Sequence, residues 1–154
     1  MSRRGRKAAQ AARGTGAKTR TGTGTAGAGA GAVRPTVTVC RGCCCGTAAK
    51  VPRLDHEAQL SDLRTALAGV AAIRRVGCLD ACERANVIVI QPSAEGRRAG
   101  GRPVWLGQVN DPGATADITA WVEDGGPGLA EAPDILDLYT FTPSRRVRHD
   151  LEEE

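Results

Sequence analysis

Residues 35–39 of the chain, Pro-Thr-Val-Thr-Val, alternate apolar and polar side chains, and their β-branched content predicts a strand. Farther along, Leu60, Leu63, Leu67 and Val70 recur at helical spacing with charge between them. That pattern predicts an amphipathic helix over about 55–68, with Gly69 as its stop. Residues 71–76, Ala-Ala-Ile-Arg-Arg-Val, read as a second strand. Two more follow at 86–91 (NVIVIQ) and 104–109 (VWLGQV), joined by a polar, Gly-rich connection that suits an antiparallel hairpin with a long loop. Residues 110–124 close the pattern as a helix: Asp111 can cap it, Pro112 fits its first turn, and Ile118, Trp121 and Val122 form its buried side. Strand, helix, strand, loop, strand, strand, helix is an α/β order, one small mixed sheet covered by helices.

Composition divides the chain around this pattern. Aromatic residues make up 3% of the sequence, with one Phe and one Tyr, so the core is built mainly from Val, Leu, Ile and Ala. Such a core is thin for one domain in 154 residues, and a metal centre tying distant segments together would add its binding energy to folding. Residues 1–34 are Gly, Ala, Thr and Arg with almost nothing to bury, and are expected to be a disordered basic tail. The folded domain is expected over 35–124. A C-terminal extension, 125–154, begins as a linker, offers "DILDLYTFTP" to pack on the domain or a second subunit, and should fray at "DLEEE".

The net charge of +4 hides an asymmetry: residues 1–35 hold eight Lys or Arg and no acid, leaving 13 basic against 17 acidic side chains elsewhere. A basic tail on a mildly acidic body allows weak, non-specific nucleic-acid contact at most; a solvated extension is the plainer reading. Gly-Ala alternation supplies no signal-peptide core, and nowhere do 18 apolar residues run together, so the chain is expected to be cytoplasmic with no membrane partner.

The chemistry lies in six cysteines: Cys40, Cys43, Cys44 and Cys45 behind the first strand, Cys78 and Cys82 behind the second. Neighbouring strands of one sheet would bring both loops to the same edge. The only histidines, His56 and His149, form no ligand-like pair, so a metal site here is most simply all-thiolate. Plant-type C-x4-C-x2-C fails at Ala48, and the bacterial C-x2-C-x2-C run fails at Gly46. Rieske centres and two-Cys two-His fingers lack their histidines. What remains is Cys40-x4-Cys45, 32 residues, then Cys78-x3-Cys82.

The strand "TVTVC", the C-x4-C spacing and above all "GCLDACERANVIVIQ" resemble the thioredoxin-like [2Fe-2S] ferredoxins and the related small iron–sulfur subunit of bacterial NADH-quinone oxidoreductases. The resemblance covers about residues 36–123. It implies a thioredoxin-like fold, a [2Fe-2S] cluster held by Cys40, Cys45, Cys78 and Cys82, and one-electron transport between redox protein partners without substrate chemistry. Cys43 and Cys44 depart from the pattern and stand as alternates for the second ligand. Homodimers occur among such ferredoxins. A role as an iron–sulfur subunit or accessory of a larger complex is the nearest alternative.

Physical chemistry adds expectations of its own. Backbone N–H groups of "RGCCCG" and "GCLDAC" can donate to sulfur, with Gly42, Gly46 and Gly77 allowing close approach. Arg41 and Arg84 read either as charges offsetting the cluster or steering a partner, or as solvated surface residues. Asp80 and Glu83 disfavour an added electron, which points to a low potential. Two other chemistries compete: structural zinc on four thiolates, and a dithiol oxidoreductase using Cys40 and Cys43, although that motif normally opens a helix and the clear helix here begins near 55. Trp105 and Trp121 read as core, His56 as a surface or capping residue, and "GRRAGGRP" as a solvated hairpin loop, with a basic docking patch as its second reading.

Overall fold

A computed structural model describes residues 32–42 and 44–153. The tail expected to be disordered falls mainly on residues 1–31, which lie outside the described residues, as does Cys43. Ala32 and Arg34 already touch the body: the Ala32 carbonyl accepts from the Ala94 N–H at 2.8 Å, and Arg34 Nη1 donates to the Gly69 carbonyl at 3.0 Å.

The alternating Thr and Val side chains form β1 (Thr36–Cys40), whose five residues are all buried. β1 is an inner strand, and its side chains are buried because an apolar cluster covers each face of the sheet. It runs parallel to β2 (Ala72–Val76), in register from Thr36 opposite Ala72 to Cys40 opposite Val76, and antiparallel to β3 (Ile88–Gln91). β3 in turn pairs antiparallel with β4 (Val104–Leu106), giving the order β2-β1-β3-β4. The outer strand β2 keeps Arg74 and Arg75 along its edge, charges that discourage pairing with another sheet.

Helix α1 (His56–Ala66) starts where Asp55 accepts from the Ala58 N–H at 2.9 Å, and the chain turns away from it through Gly69 at φ +78°. Between β3 and β4 lies α2 (Ala94–Arg98), and after β4 comes α3 (Pro112–Glu123), capped by Asp111 accepting from the Gly113 N–H at 2.6 Å. α1 and α3 pack together on one sheet face, setting Leu60, Leu63, Ile118 and Trp121 against Val37, Val39, Ile88 and Ile90. The βαβ unit followed by a hairpin and a helix on one mixed sheet is the thioredoxin-like α/β arrangement that the sequence predicts. Among the described residues, no helix is long and apolar enough to cross a membrane.

The Asp111 cap gives a direct check on α3. Asp111→Ala is expected to cost about 1 kcal/mol, the usual worth of an N-cap side chain. For a chain of this size that lowers the melting midpoint by about 4 °C, measurable by circular dichroism.

Three local expectations need correction. The 92–103 connection is not all loop, since Ser93 Oγ accepts from the Gly96 N–H at 3.0 Å and nucleates α2. His56 is neither a surface residue nor the cap; it is buried, its Nε2 has no hydrogen-bond partner among the described residues, and Asp55 does the capping. The third concerns only the last residues; the segment beyond α3 packs on the domain, one of the two placements expected of "DILDLYTFTP". Trp121 Nε1 donates to the Ala130 carbonyl at 3.0 Å, and a 3-10 turn at Asp134–Leu138 seats Leu136 in the core. Residues 139–141 run beside β4, with Gly107 N–H donating to Tyr139 O at 2.8 Å and Phe141 N–H to Trp105 O at 3.0 Å. Helix α4 (Arg145–Glu153) then buries Val147 and Leu151 against the second sheet face, so the helix runs on to Glu153 where fraying was expected.

Candidate metal centre

The parallel pairing of β1 and β2 does what the strand order implies. Cys40 and Val76 are register partners at the same sheet edge, and Cys78 and Cys82 follow directly. Arg41 N–H donates to the Val76 carbonyl at 2.9 Å, fastening one cysteine loop to the root of the other. Gly42 sits so close to the Gly77 carbonyl that a Cβ at residue 42 would overlap that oxygen. Residues 44–50 form turns, and the first helix behind Cys40 is α1, which starts at His56.

Five thiols are described, and they gather in two groups. Cys40 and Cys45 are buried and hydrogen-bonded to one another. The Cys45 proton serves that bond, so the Cys40 thiol is lowered to about 6 and Cys45 is raised well above the usual thiol range. Backbone N–H groups of Gly42 and Leu79 also point at Cys40, and that of Val87 at Cys45. Cys78 and Cys82 lie at the surface with their sulfurs 3.9 Å apart. Asp80 adopts φ +50°, which turns its N–H onto Cys78 Sγ at 3.3 Å. Cys82 is pushed up to about 12, first by a hydrogen bond with Cys44 and then by desolvation and by Cys78. Cys44 therefore faces the second pair, whereas Cys45 faces Cys40. Cys43 lies outside the described residues.

Whether this donor set suits a [2Fe-2S] cluster can be judged from the pairing. No group of three His, Cys, Asp or Glu side chains among the described residues converges as a site for one metal ion. A binuclear cluster asks for less convergence, because its four thiolates bind as two pairs, one pair to each iron. The 3.9 Å between Cys78 and Cys82 is close to the edge, about 3.8 Å, of a tetrahedron of metal–sulfur bonds of about 2.3 Å. All-sulfur ligation, two pairs and N–H groups aimed at sulfur fit such a cluster.

Sequence reasoning missed the polar network behind the first pair. Arg41, 5% exposed, donates from Nη1 to Asn86 Oδ1 at 2.6 Å and to the Cys40 carbonyl at 2.9 Å, from Nη2 to Gln59 Oε1 at 2.5 Å, and from Nε to the His56 carbonyl at 3.3 Å. Asn86 Nδ2 donates to Gln59 Oε1 at 2.7 Å and to the Val109 carbonyl at 3.1 Å, while Gln59 Nε2 reaches Val109 O and Thr115 Oγ1, each at 3.0 Å. The visible signal was that His56 and Gln59 share the helical stripe of Leu60, Leu63 and Leu67. Arg84, by contrast, is exposed and lies 5.6 Å over the Phe141 ring.

A cleft of roughly 350 Å³ opens beside the second pair, lined by Cys78, Leu79 and Asp80 on one side and Arg146, Val147 and Leu151 of α4 on the other. A larger one, roughly 560 Å³, lies between α1 and α3 and touches no cysteine.

No protein-family model matches the chain, and no curated protein does. Among solved structures, the chain is similar to the thioredoxin-like [2Fe-2S] ferredoxin from Aquifex aeolicus at 19% sequence identity and a TM-score of 0.44, over 73% of this chain and all of that one.

Proposed function

We propose that the chain is a small iron–sulfur electron carrier whose [2Fe-2S] cluster is held by Cys40, Cys45, Cys78 and Cys82. The observation that carries this reading is the division of the thiols into a buried pair and a pair at the surface, one exposed and one partly exposed, at one sheet edge. When bound, such a cluster supplies one reversible electron and no bond-making chemistry. The residues divide the remaining work. The bond with Cys45 holds the Cys40 thiol below its usual range and so eases the loss of its proton to a metal, while the N–H groups of Gly42, Leu79 and Asp80 stabilise charge on sulfur. Cys78 stands in solvent beside an open cleft, which gives redox protein partners a short path to the centre. The resemblance of the cysteine loops to those of ferredoxins supports the same reading. A one-electron carrier needs a reductase and an acceptor, and both are other proteins.

Protein produced with ample iron and purified without oxygen is expected to be brown and to carry about two irons and two acid-labile sulfides per chain. Stoichiometric zinc with no sulfide would replace this reading with a structural site.

A further inference from the structure

Arg41 is in an unusual position for an arginine. It is buried, and among the described residues every hydrogen bond it donates ends on a neutral oxygen: Asn86 Oδ1, Gln59 Oε1 and the carbonyls of Cys40 and His56. No carboxylate among the described residues pairs with it. Glu57 acts on it only at a distance, and Arg75 acts in the opposite sense. Burying a guanidinium without an anion is expensive, and neutral acceptors could be satisfied equally well by a neutral donor. The charge therefore needs an anionic counterpart, and the nearest source of one is the sulfur centre built on Cys40, whose carbonyl Arg41 Nη1 holds at 2.9 Å.

We propose that Arg41 is the fixed counter-cation of the sulfur centre, clamped by Asn86 and Gln59 behind the Cys40–Cys45 pair so that it raises the centre's reduction potential. This rests on the iron–sulfur reading above. A positive charge stabilises the more negative, reduced state more than the oxidised one, and a buried site screens that interaction little. Rigidity matters as much as charge. Asn86 precedes β3, Gln59 lies on α1, and both also bond to Val109 O, so the guanidinium cannot swing out to solvent when the centre changes charge. Arg41 acts on the thiolates and is not a ligand. Its effect runs against that of Asp80 and Glu83, which lie on the exposed side.

The test is a potentiometric titration of the visible absorption, with dithionite as reductant, on the full-length wild type and on Arg41→Lys, Arg41→Gln and Gln59→Glu. Arg41→Lys keeps the charge and is expected to titrate close to wild type. Arg41→Gln removes the charge and is expected to shift the midpoint to more negative values. Gln59→Glu sets a carboxylate against the intact guanidinium and is expected to shift it in the same direction. Should Arg41→Gln fail to fold, Gln59→Glu decides. Equal midpoints for wild type and the charge-changing variants would overturn the proposal, as would equal shifts in Arg41→Lys and Arg41→Gln, which would make hydrogen-bond geometry the cause. A wild type holding no iron and sulfide would overturn this proposal and the electron-carrier reading together, whereas an iron–sulfur wild type with unshifted variants would overturn this proposal alone.

Discussion

A chain carrying Cys82→Ser is expected to leave an iron-replete preparation almost colourless, with iron and acid-labile sulfide reduced to a small fraction of the wild-type content. Cys82 has Cys78 3.9 Å away on one side and Cys44 on the other, and it anchors the 3-10 turn Cys82–Arg84 that feeds β3. Serine preserves its shape but is a far poorer ligand for iron than a thiolate. Because Cys82 is partly exposed, the substitution should change the stability of the metal-free fold by no more than about 0.5 kcal/mol. The loss would then be one of ligation and would appear in the metal and sulfide assays while the circular dichroism spectrum stays the same. Cys40→Ser and Cys78→Ser should behave alike, and Cys45→Ser should give a shifted or unstable spectrum. Cys43→Ser and Cys44→Ser should leave it normal. If Cys44→Ser destroys the absorption and Cys45→Ser spares it, the ligand facing Cys82 is Cys44, and Cys45 only shares a proton with Cys40. Full iron content in Cys82→Ser would remove the second pair from the assignment altogether.

Gly42→Ala is expected to be the most damaging change outside the cysteines. Its new Cβ would overlap the Gly77 carbonyl oxygen, and both partners are backbone, so no flexible side chain can give way. The two loops would have to separate, which strains the Arg41 N–H bond to Val76 and moves Cys78 away from Cys40. A loss of at least about 3 kcal/mol, in the range of serious overpacking, should accompany loss of bound iron. Gly77→Ala is the control, since a Cβ there meets nothing within 4 Å. It should stay within about 0.5 kcal/mol of wild type in urea unfolding. Near-equal midpoints for the two variants would mean that the loops are not held against each other.

The parts of this molecule legible in its sequence are those with repeating side chains. β1 and α1 show as alternation and as a leucine stripe, and α3 shows its cap as well as its buried face. The meeting of the two cysteine loops was also legible, because it follows from parallel pairing of β1 with β2 rather than from any detail of the loops. α2 was not, because Ala-Glu-Gly-Arg-Arg, five residues started by one serine cap, carries no apolar periodicity. α4 was hidden for a different reason: its buried side is only Val147 and Leu151 amid charge, and the apolar cluster on the second sheet face that receives them is assembled from distant segments. Arg41 could not be placed from sequence at all. A charged residue between cysteines reads as solvent-exposed until Gln59 and Asn86, distant in the chain, are seen to close around it.

The cover that α4 gives the Cys78–Cys82 loop also has a place in time. Leu151 is synthesised 69 residues after Cys82, so at about 5–20 residues per second the exposed pair leaves the ribosome roughly 3–14 s before the helix that will lie beside it. Once β4 has followed, 45 residues before Leu151, the sheet and both cysteine loops are made, and for the last roughly 2–9 s of that interval the loop's flank toward α4 is open. Delivery of iron and sulfide to the nascent chain would meet a wider entrance than delivery to the finished one.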